Sequence, residues 1–103
     1  MTWHKAADAA ELDGKDVVGI EVAGREIAIY RLDGEFFATA NICTHQFALM
    51  SDGYVEGNCV ECPLHQALFD IRTGAVVEGP AEEALRTFPV RVEGTEILVE
   101  LPD

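Results

Sequence analysis

The sequence has few basic residues and no long apolar run. Its 103 residues include 7 Lys and Arg against 19 Asp and Glu, which gives a formal net charge of −12. General binding to nucleic acid or to anionic lipid is excluded, because both need a basic face. No apolar run approaches the ~18 residues of a membrane span, and no secretory signal is visible at the N-terminus. We therefore expect a protein of the cytoplasm that binds neither membranes nor nucleic acid.

Cysteine and histidine are also scarce, with three of each in the chain. Thiols stay reduced in the cytoplasm, so three cysteines indicate a metal site or a reactive thiol rather than a disulfide framework. The length predicts a single domain over residues 1–103. A hydrophobic fraction of 49% is typical of a globular domain, not of a disordered chain.

Turn signals interrupt the chain at short intervals, and β-rich runs lie between them. The predicted strands cover residues 18–22, 25–32, 35–41, 88–92 and 97–101. Asp33-Gly34 favours a two-residue hairpin, and residues 70–74 predict another hairpin turn. Pro89 cannot donate to a β-ladder, which places its strand at an edge or a bulge. Residues 6–12 and 81–85 are too short for more than a turn or two of helix. This pattern predicts an all-β sandwich or barrel.

Two Cys/His motifs stand out in the turn-rich stretch between residues 41 and 73. They are Cys43-Thr44-His45 and Cys62-Pro63-Leu64-His65, with sixteen residues between His45 and Cys62. Two such pairs in one small domain argue against chance. Structural zinc usually takes two Cys followed by two His, whereas here the order alternates. A Rieske [2Fe–2S] cluster, with two Cys on one iron and two His on the other, explains the alternation better.

The motifs resemble the Rieske signature, and the wider sequence resembles the soluble Rieske ferredoxins of bacterial aromatic-ring dioxygenases. The matching segments are residues 43–57, residues 62–74 and Gly79-Pro80-Ala81, which resembles the family's proline loop. The resemblance implies an antiparallel β-sandwich base and a two-loop cluster-binding subdomain at about residues 41–80. It implies one [2Fe–2S] cluster as cofactor. Cys43 and Cys62 would bind the iron that stays ferric, and His45 and His65 the iron that is reduced.

Four positions depart from the quinol-oxidising Rieske proteins. Ala48 and Leu64 stand where those proteins carry a disulfide, so this bridge cannot form. Ala67 and Phe69 stand where they carry a Ser and a Tyr that donate hydrogen bonds to sulfur. Such donors favour the reduced state, so their absence predicts a potential at the low end of the Rieske range, near about −150 mV.

The remaining residues predict a carrier of electrons rather than an enzyme. A Rieske oxygenase also needs a mononuclear iron held by two His and a carboxylate, and only His4 lies outside the motifs. We expect one-electron transfer from an NAD(P)H-dependent flavin reductase to a terminal oxygenase. No Lys or Arg lies between Arg31 and Arg72, which favours transient docking to basic faces. Phe47, Leu49 and Pro80 are candidates for an apolar contact there.

Three alternatives stay open for this sequence. Two are similar carriers, the ferredoxin of a diiron monooxygenase and the small subunit of a nitrite reductase. The third is an interaction module stabilised by zinc, without a redox role. We expect a monomer, and we interpret Cys59 as a structural or half-exposed thiol.

Overall fold

The structure is a computed structural model that describes residues 2–42, 48–63, 67–79 and 83–102. Within these ranges it contains eleven β-strands and two short 3-10 helices, at Ala9–Leu12 and Met50–Asp52. The strands are β1 (Thr2–Asp8), β2 (Val17–Val22), β3 (Arg25–Leu32), β4 (Glu35–Ala40), β5 (Tyr54–Glu56), β6 (Cys59–Glu61), β7 (Leu68–Asp70), β8 (Val76–Glu78), β9 (Thr87–Phe88), β10 (Val90–Glu93) and β11 (Glu96–Leu101). The described residues include no helix that is long and apolar enough to cross a membrane. The predicted all-β class is confirmed.

The strands form three antiparallel sheets, and β3 lies in the middle one. Their strand orders are β1-β11-β10, β2-β3-β4-β9 and β5-β6-β7-β8. Ala28 and Tyr30 on one face of β3 join a buried cluster with the β5–β8 sheet, which we call the loop-side core. Ile27 and Ile29 on the other face pack against residues of β1 and β11. The middle sheet is therefore covered on both sides, as the unbroken apolar run of β3 requires.

The strand over residues 25–32 has the bounds that the sequence predicts, and Val18, Ile20 and Val22 pack on one face of β2 as expected. The predicted hairpin at residues 70–74 is also confirmed, because Oδ1 of Asp70 accepts hydrogen bonds from the amides of Arg72 and Thr73 at 2.8 and 3.2 Å.

Residues 88–92 form two strands where the sequence predicts one. The break is at Pro89: β9 pairs with β4, whereas β10 pairs with β11 in another sheet. Both β9 and β10 are edge strands, as the missing N–H of Pro89 predicts. Val92 is 45% exposed, since the edge strand β10 leaves its side chain outside the core.

The strand β1 is not among the sequence predictions. It pairs with β11 from Thr2↔Leu101 to Asp8↔Glu96, with a register shift between Lys5 and Ala7. The shift interrupts the alternation of buried and exposed side chains, so residues 2–8 lack the pattern that identifies a strand. The short helical run after it is one 3-10 turn, Ala9–Leu12, within the length that we expected.

Tyr30 places a polar group inside the loop-side core. Its hydroxyl lies 2.9 Å from Oγ1 of Thr39, which is also buried and donates to the carbonyl of Ala40. Burial raises the pKa of Tyr30 to about 12, and the hydrogen bond to Thr39 opposes only part of that increase. The folded state therefore retains the phenolic proton more firmly than the unfolded state does.

This difference predicts a loss of stability in alkali. The contribution of Tyr30 is fully present below pH 10, the usual pKa, and is lost as the pH rises towards 12. The expected loss is about 2–3 kcal/mol, at 1.36 kcal/mol for each pKa unit. Urea unfolding at pH 8 and pH 11.5 measures it, with Tyr30→Phe as comparison. The variant should lose markedly less stability between these pH values, and an equal loss would contradict the assignment.

Candidate metal centre

The strand order brings together the chain segments that hold the two Cys/His motifs. β5 follows the segment that contains Cys43 and His45, and it pairs with β6, which ends just before Cys62. The approach is close, because a Cβ at Gly53 would overlap the carbonyl oxygen of Glu61. Only glycine fits at this position without displacing the β6 backbone. The end of the first segment therefore lies directly beside the start of the second.

Hydrogen bonds close the base of the first segment, which we call loop 1 (residues 42–49). The amide of Met50 donates to the carbonyl of Asn41 at 2.6 Å, and Ile42 pairs with Leu49 in an antiparallel bridge. The Asn41 side chain also binds Ser51: its Oδ1 accepts from the Ser51 amide at 2.8 Å, and its Nδ2 donates to the Ser51 hydroxyl at 3.0 Å. Loop 1 thus leaves and rejoins the β scaffold at a fixed spacing.

A backbone hydrogen bond between described residues closes the second segment, loop 2 (residues 63–66). The amide of Cys62 donates to the carbonyl of Ala67 at 2.9 Å. Cys62 is 1% exposed, and Ala67 is fully buried. The two ends of loop 2 are therefore held together at a buried cysteine and a buried alanine.

Both loop bases contribute to the same loop-side core. Ala48 and Met50 from loop 1 pack in it with Cys62, Ala67 and Phe69 from the second segment. A thiolate in such apolar surroundings is stable only beside a cation, because burying an isolated charge is very unfavourable. The burial of Cys62 therefore fits a ligand of a metal cluster. Leu85, which follows the Gly79-Pro80-Ala81 segment, joins the same core and donates its amide to the carbonyl of Gly74 at 2.8 Å.

Several predicted site residues lie outside the described residues. They are Cys43, His45 and His65 among the expected ligands, and Phe47, Leu64 and Pro80 around them. Among the described residues, Cys62 has the burial that a ligand needs, and Leu49 is half-buried at the base of loop 1. Ala48, Ala67 and Phe69 carry no hydroxyl into the core. Cys59 lies half-exposed on β6, as expected.

Asn41 and Ser51 are not among the site residues that the sequence predicts. The available signal was an Asn two residues before Cys43 and a Ser at the opposite end of the same loop. Neither residue type indicates burial by itself, because both are usually exposed.

The outer face of the β5–β8 sheet is acidic and partly apolar. Pairing across the strands aligns Tyr54, Glu61, Leu68 and Glu78 in one row at the end that carries the loops. Tyr54 is 69% exposed. Glu56 and Asp70 lie on the same face, since each is two residues from a member of the row. We call these six residues the acidic face; its four strands contain no Lys or Arg.

Four of the seven Lys and Arg residues, all of which lie in the described part of the chain, have acidic partners away from this face. Lys5 lies near Asp8 and Glu96, Arg31 near Asp13, Arg72 near Glu35 and Arg91 near Glu93, with N–O distances between 2.9 and 3.9 Å. Arg72 is on the hairpin between β7 and β8, at the end of the sheet away from the loops. The acidic face is therefore not neutralised by ion pairs with described residues, and its field extends towards solvent.

An antiparallel β base that brings the ends of the two Cys/His segments to one buried core is the scaffold of a two-loop domain. Comparison with known proteins identifies the family. A model of the Rieske [2Fe-2S] domain matches residues 2–89, so the chain belongs to the Rieske family. Its cofactor is accordingly one [2Fe–2S] cluster.

Individual relatives match almost end to end. The chain is 43% identical over 99 residues to the ferredoxin component of a naphthalene 1,2-dioxygenase system of Pseudomonas aeruginosa, covering 96% of this chain and 95% of the relative. It is 42% identical to the anthranilate 1,2-dioxygenase ferredoxin subunit of Burkholderia cepacia, covering 96% and 92%. Among solved structures, the ferredoxin of Sphingomonas yanoikuyae B1 superposes with a TM-score of 0.91 at 33% identity, covering 98% of this chain and 100% of that one.

Proposed function

We propose that this protein is the ferredoxin component of a multicomponent aromatic-ring dioxygenase, a one-electron carrier that is not itself an enzyme. It would take electrons from an NAD(P)H-dependent flavin reductase and deliver them to a terminal oxygenase. The observation that carries the proposal is the end-to-end similarity to relatives that are named ferredoxin components of such systems. A similar ferredoxin, 32% identical with a TM-score of 0.87, has been solved in a complex with the oxygenase of carbazole 1,9a-dioxygenase.

The proposed ligands are Cys43 and Cys62 for one iron, and His45 and His65 for the other. The burial of Cys62 and the closed bases of both loops support this assignment. When bound, the cluster accepts and releases a single electron. The chain's own residues hold the loops at fixed spacing, and the apolar side chains of the loop-side core exclude water from the Cys62 side of the site. The proposal includes a single domain over residues 1–103 with a cluster-binding subdomain at about 41–80. The β5–β8 sheet lies within these limits.

The acidic face is the proposed docking surface for both partners. It lies at the loop end of its sheet, and its exposed Tyr54 offers an aromatic ring to which Arg or Lys side chains of a partner can bind. Contacts for electron transfer are typically small and transient, so weak binding is expected. A formal charge of −12 disfavours self-association, which supports a monomer. We place the carrier in the cytoplasm, where NAD(P)H is available to the reductase.

The alternatives have less support. A structure of a putative nitrite reductase small subunit has a TM-score of 0.81 at 22% identity, and this likeness shows the fold alone. A ferredoxin for a diiron monooxygenase would use the same cluster and differ only in its partner.

The proposal predicts a measurable composition and potential. Purified protein should contain about two iron atoms and two sulfides per chain, without zinc, and give a reversible one-electron couple near about −150 mV. The value follows from Ala67 and Phe69, which offer no hydroxyl to the sulfur atoms. Metal analysis and voltammetry measure both quantities. A midpoint well above zero would contradict the assigned role of these residues. Bound zinc without a redox couple would instead favour the interaction module that is stabilised by zinc.

Reconstitution tests the partners. The oxidised protein is mixed with purified naphthalene dioxygenase reductase and oxygenase, NADH and naphthalene, and both cluster reduction and product formation are measured. Product that depends on this protein supports the carrier role in such a system. Cluster reduction by the reductase without product would direct attention to a diiron monooxygenase as the acceptor.

A further inference from the structure

Asn41 is an unusual side chain in this fold because it is polar, 1% exposed and located at the base of loop 1. Thr39 is the other buried polar residue in the described part of the chain, and its hydrogen bonds to Tyr30 and Ala40 account for it. Asn41 uses both ends of its amide on one residue, Ser51, at 2.8 and 3.0 Å. A buried amide with matched donors and acceptors specifies one geometry, because any shift leaves a polar group unpaired.

The backbone of Asn41 extends the same connection in two directions. Its carbonyl accepts from the amide of Met50 at 2.6 Å, and its own amide donates to the carbonyl of Glu26 at 2.9 Å. The base of loop 1 is therefore attached to strand β3 as well as closed on itself. We call the paired side chains of Asn41 and Ser51 the clasp.

Gly19 of β2 makes room for the clasp. An ideal Cβ at this position would lie 2.5 Å from Oγ of Ser51 and 2.7 Å from Nδ2 of Asn41. Real Cβ atoms do not approach other heavy atoms so closely, so a side chain at residue 19 would displace the clasp. The clasp thus rests directly on the backbone of the middle sheet.

We propose that the clasp is a positioning device for the cluster. It holds the two ends of loop 1 at one spacing, so that Cys43 and His45 reach the two irons together. This inference rests on the ligand set given under the proposed function. The physical reason is preorganisation: a loop with fixed ends has fewer conformations, so its ligands are less able to separate from the metal. Asn41 and Ser51 act through the loop and touch no iron themselves.

The test compares variants of the purified, cluster-loaded protein. Asn41→Ala should release iron to a chelator about 10- to 100-fold faster than wild type, in line with the loss of metal affinity when groups that orient metal ligands are removed. It should also broaden the electron paramagnetic resonance spectrum of the reduced cluster. Ser51→Ala should have a smaller effect, because the Ser51 amide can still donate to Oδ1 of Asn41. Gly19→Ala should resemble Asn41→Ala, since it displaces the same pair.

A conservative variant and a control separate positioning from general stability. Ser51→Thr keeps the amide that donates to Oδ1 of Asn41 and a hydroxyl that accepts from its Nδ2, so iron release should remain close to wild type. Ile97→Val weakens the opposite core without contacting the clasp. It is compared with Asn41→Ala at one temperature, in a urea concentration for each variant that gives both the same unfolded fraction. Under these conditions Ile97→Val should release iron more slowly than Asn41→Ala.

The outcomes decide between the proposals. Equal iron release from Asn41→Ala and Ile97→Val at matched stability would overturn the positioning role. If Asn41→Ala does not fold, Ser51→Ala decides instead, and a wild-type rate of iron release in that variant would overturn the role. A wild-type protein without two irons and two sulfides would instead overturn the proposed function, and this result is obtained before any variant is made.

Discussion

Replacing His45 with Cys is expected to abolish the characteristic spectrum of the reduced Rieske centre. In this centre two His ligate one iron and two Cys the other, and the unequal ligation is what raises the potential above that of all-cysteine clusters. With the proposed ligand set, a thiolate at position 45 would add negative charge to the iron that is reduced. Any cluster that still assembles should therefore have a lower potential, towards about −400 mV. Electron paramagnetic resonance of the reduced protein and voltammetry measure the change.

The zinc-stabilised interaction module predicts the opposite result for the same substitution. A Cys₂His₂ zinc site would become Cys₃His, which is also a ligand set of structural zinc sites. The variant would then retain its zinc and its stability. Neither the variant nor the wild type would give a redox signal. Cys59→Ser is the matched control, because Cys59 is half-exposed on β6 only three residues before Cys62. It should leave the spectrum, the potential and the iron content unchanged, and a loss of iron there would reopen the ligand assignment.

Reversing two charges on the acidic face is expected to slow electron transfer to a basic acceptor by about tenfold or more at low ionic strength. The variant is Glu56→Lys with Glu78→Lys, both of which are exposed residues on that face. Its effect should shrink as salt is added, because screening shortens the reach of surface charges. Stopped-flow reduction of cytochrome c, a basic one-electron acceptor, measures the rate. The spectrum of the cluster should not change, because both substitutions are at the surface.

The control applies the same change of charge to the opposite outer sheet. Glu93→Lys with Glu96→Lys alters two exposed residues of the β10–β11 hairpin, and each double variant moves the formal charge from −12 to −8. Only weak surface ion pairs to Arg91 and Lys5 are lost. If docking uses the acidic face, this variant retains most of the rate. Equal slowing in both would show that net charge alone guides the encounter.

Local patterns were enough to predict much of this fold. The run from Arg25 to Leu32 is apolar on both faces, so it identifies a strand buried between layers. Asp33-Gly34 identifies the hairpin after it, because the turn needs positive φ and Asp33 has a φ of 50°. In both cases a few neighbouring residues carry the whole signal.

The missed features depend on partners that are distant in the sequence. β1 is a strand because β11 lies beside it, and its own bulge hides the alternation. The break at Pro89 was expected to be an edge or a bulge. Its actual role, passing the chain from β4 to β11, depends on the positions of two sheets. The burial of Asn41 likewise depends on Ser51 and Gly19, which no spacing rule connects. The motif could be predicted at the site, but the scaffold that holds it could not.

The β5–β8 sheet has a consequence for the order in which the protein folds. Its strands are consecutive in the chain and pair only with their neighbours, from Tyr54↔Glu61 to Phe69↔Val76. The ladder between β1 and β11 joins Thr2 to Leu101, across nearly the whole chain. Pairing strands that are close in the sequence costs little loop-closure entropy, whereas forming the β1–β11 ladder costs the most. During synthesis the cysteine-bearing hairpins can therefore assemble before β11 has left the ribosome, and the outer base closes over the molecule last.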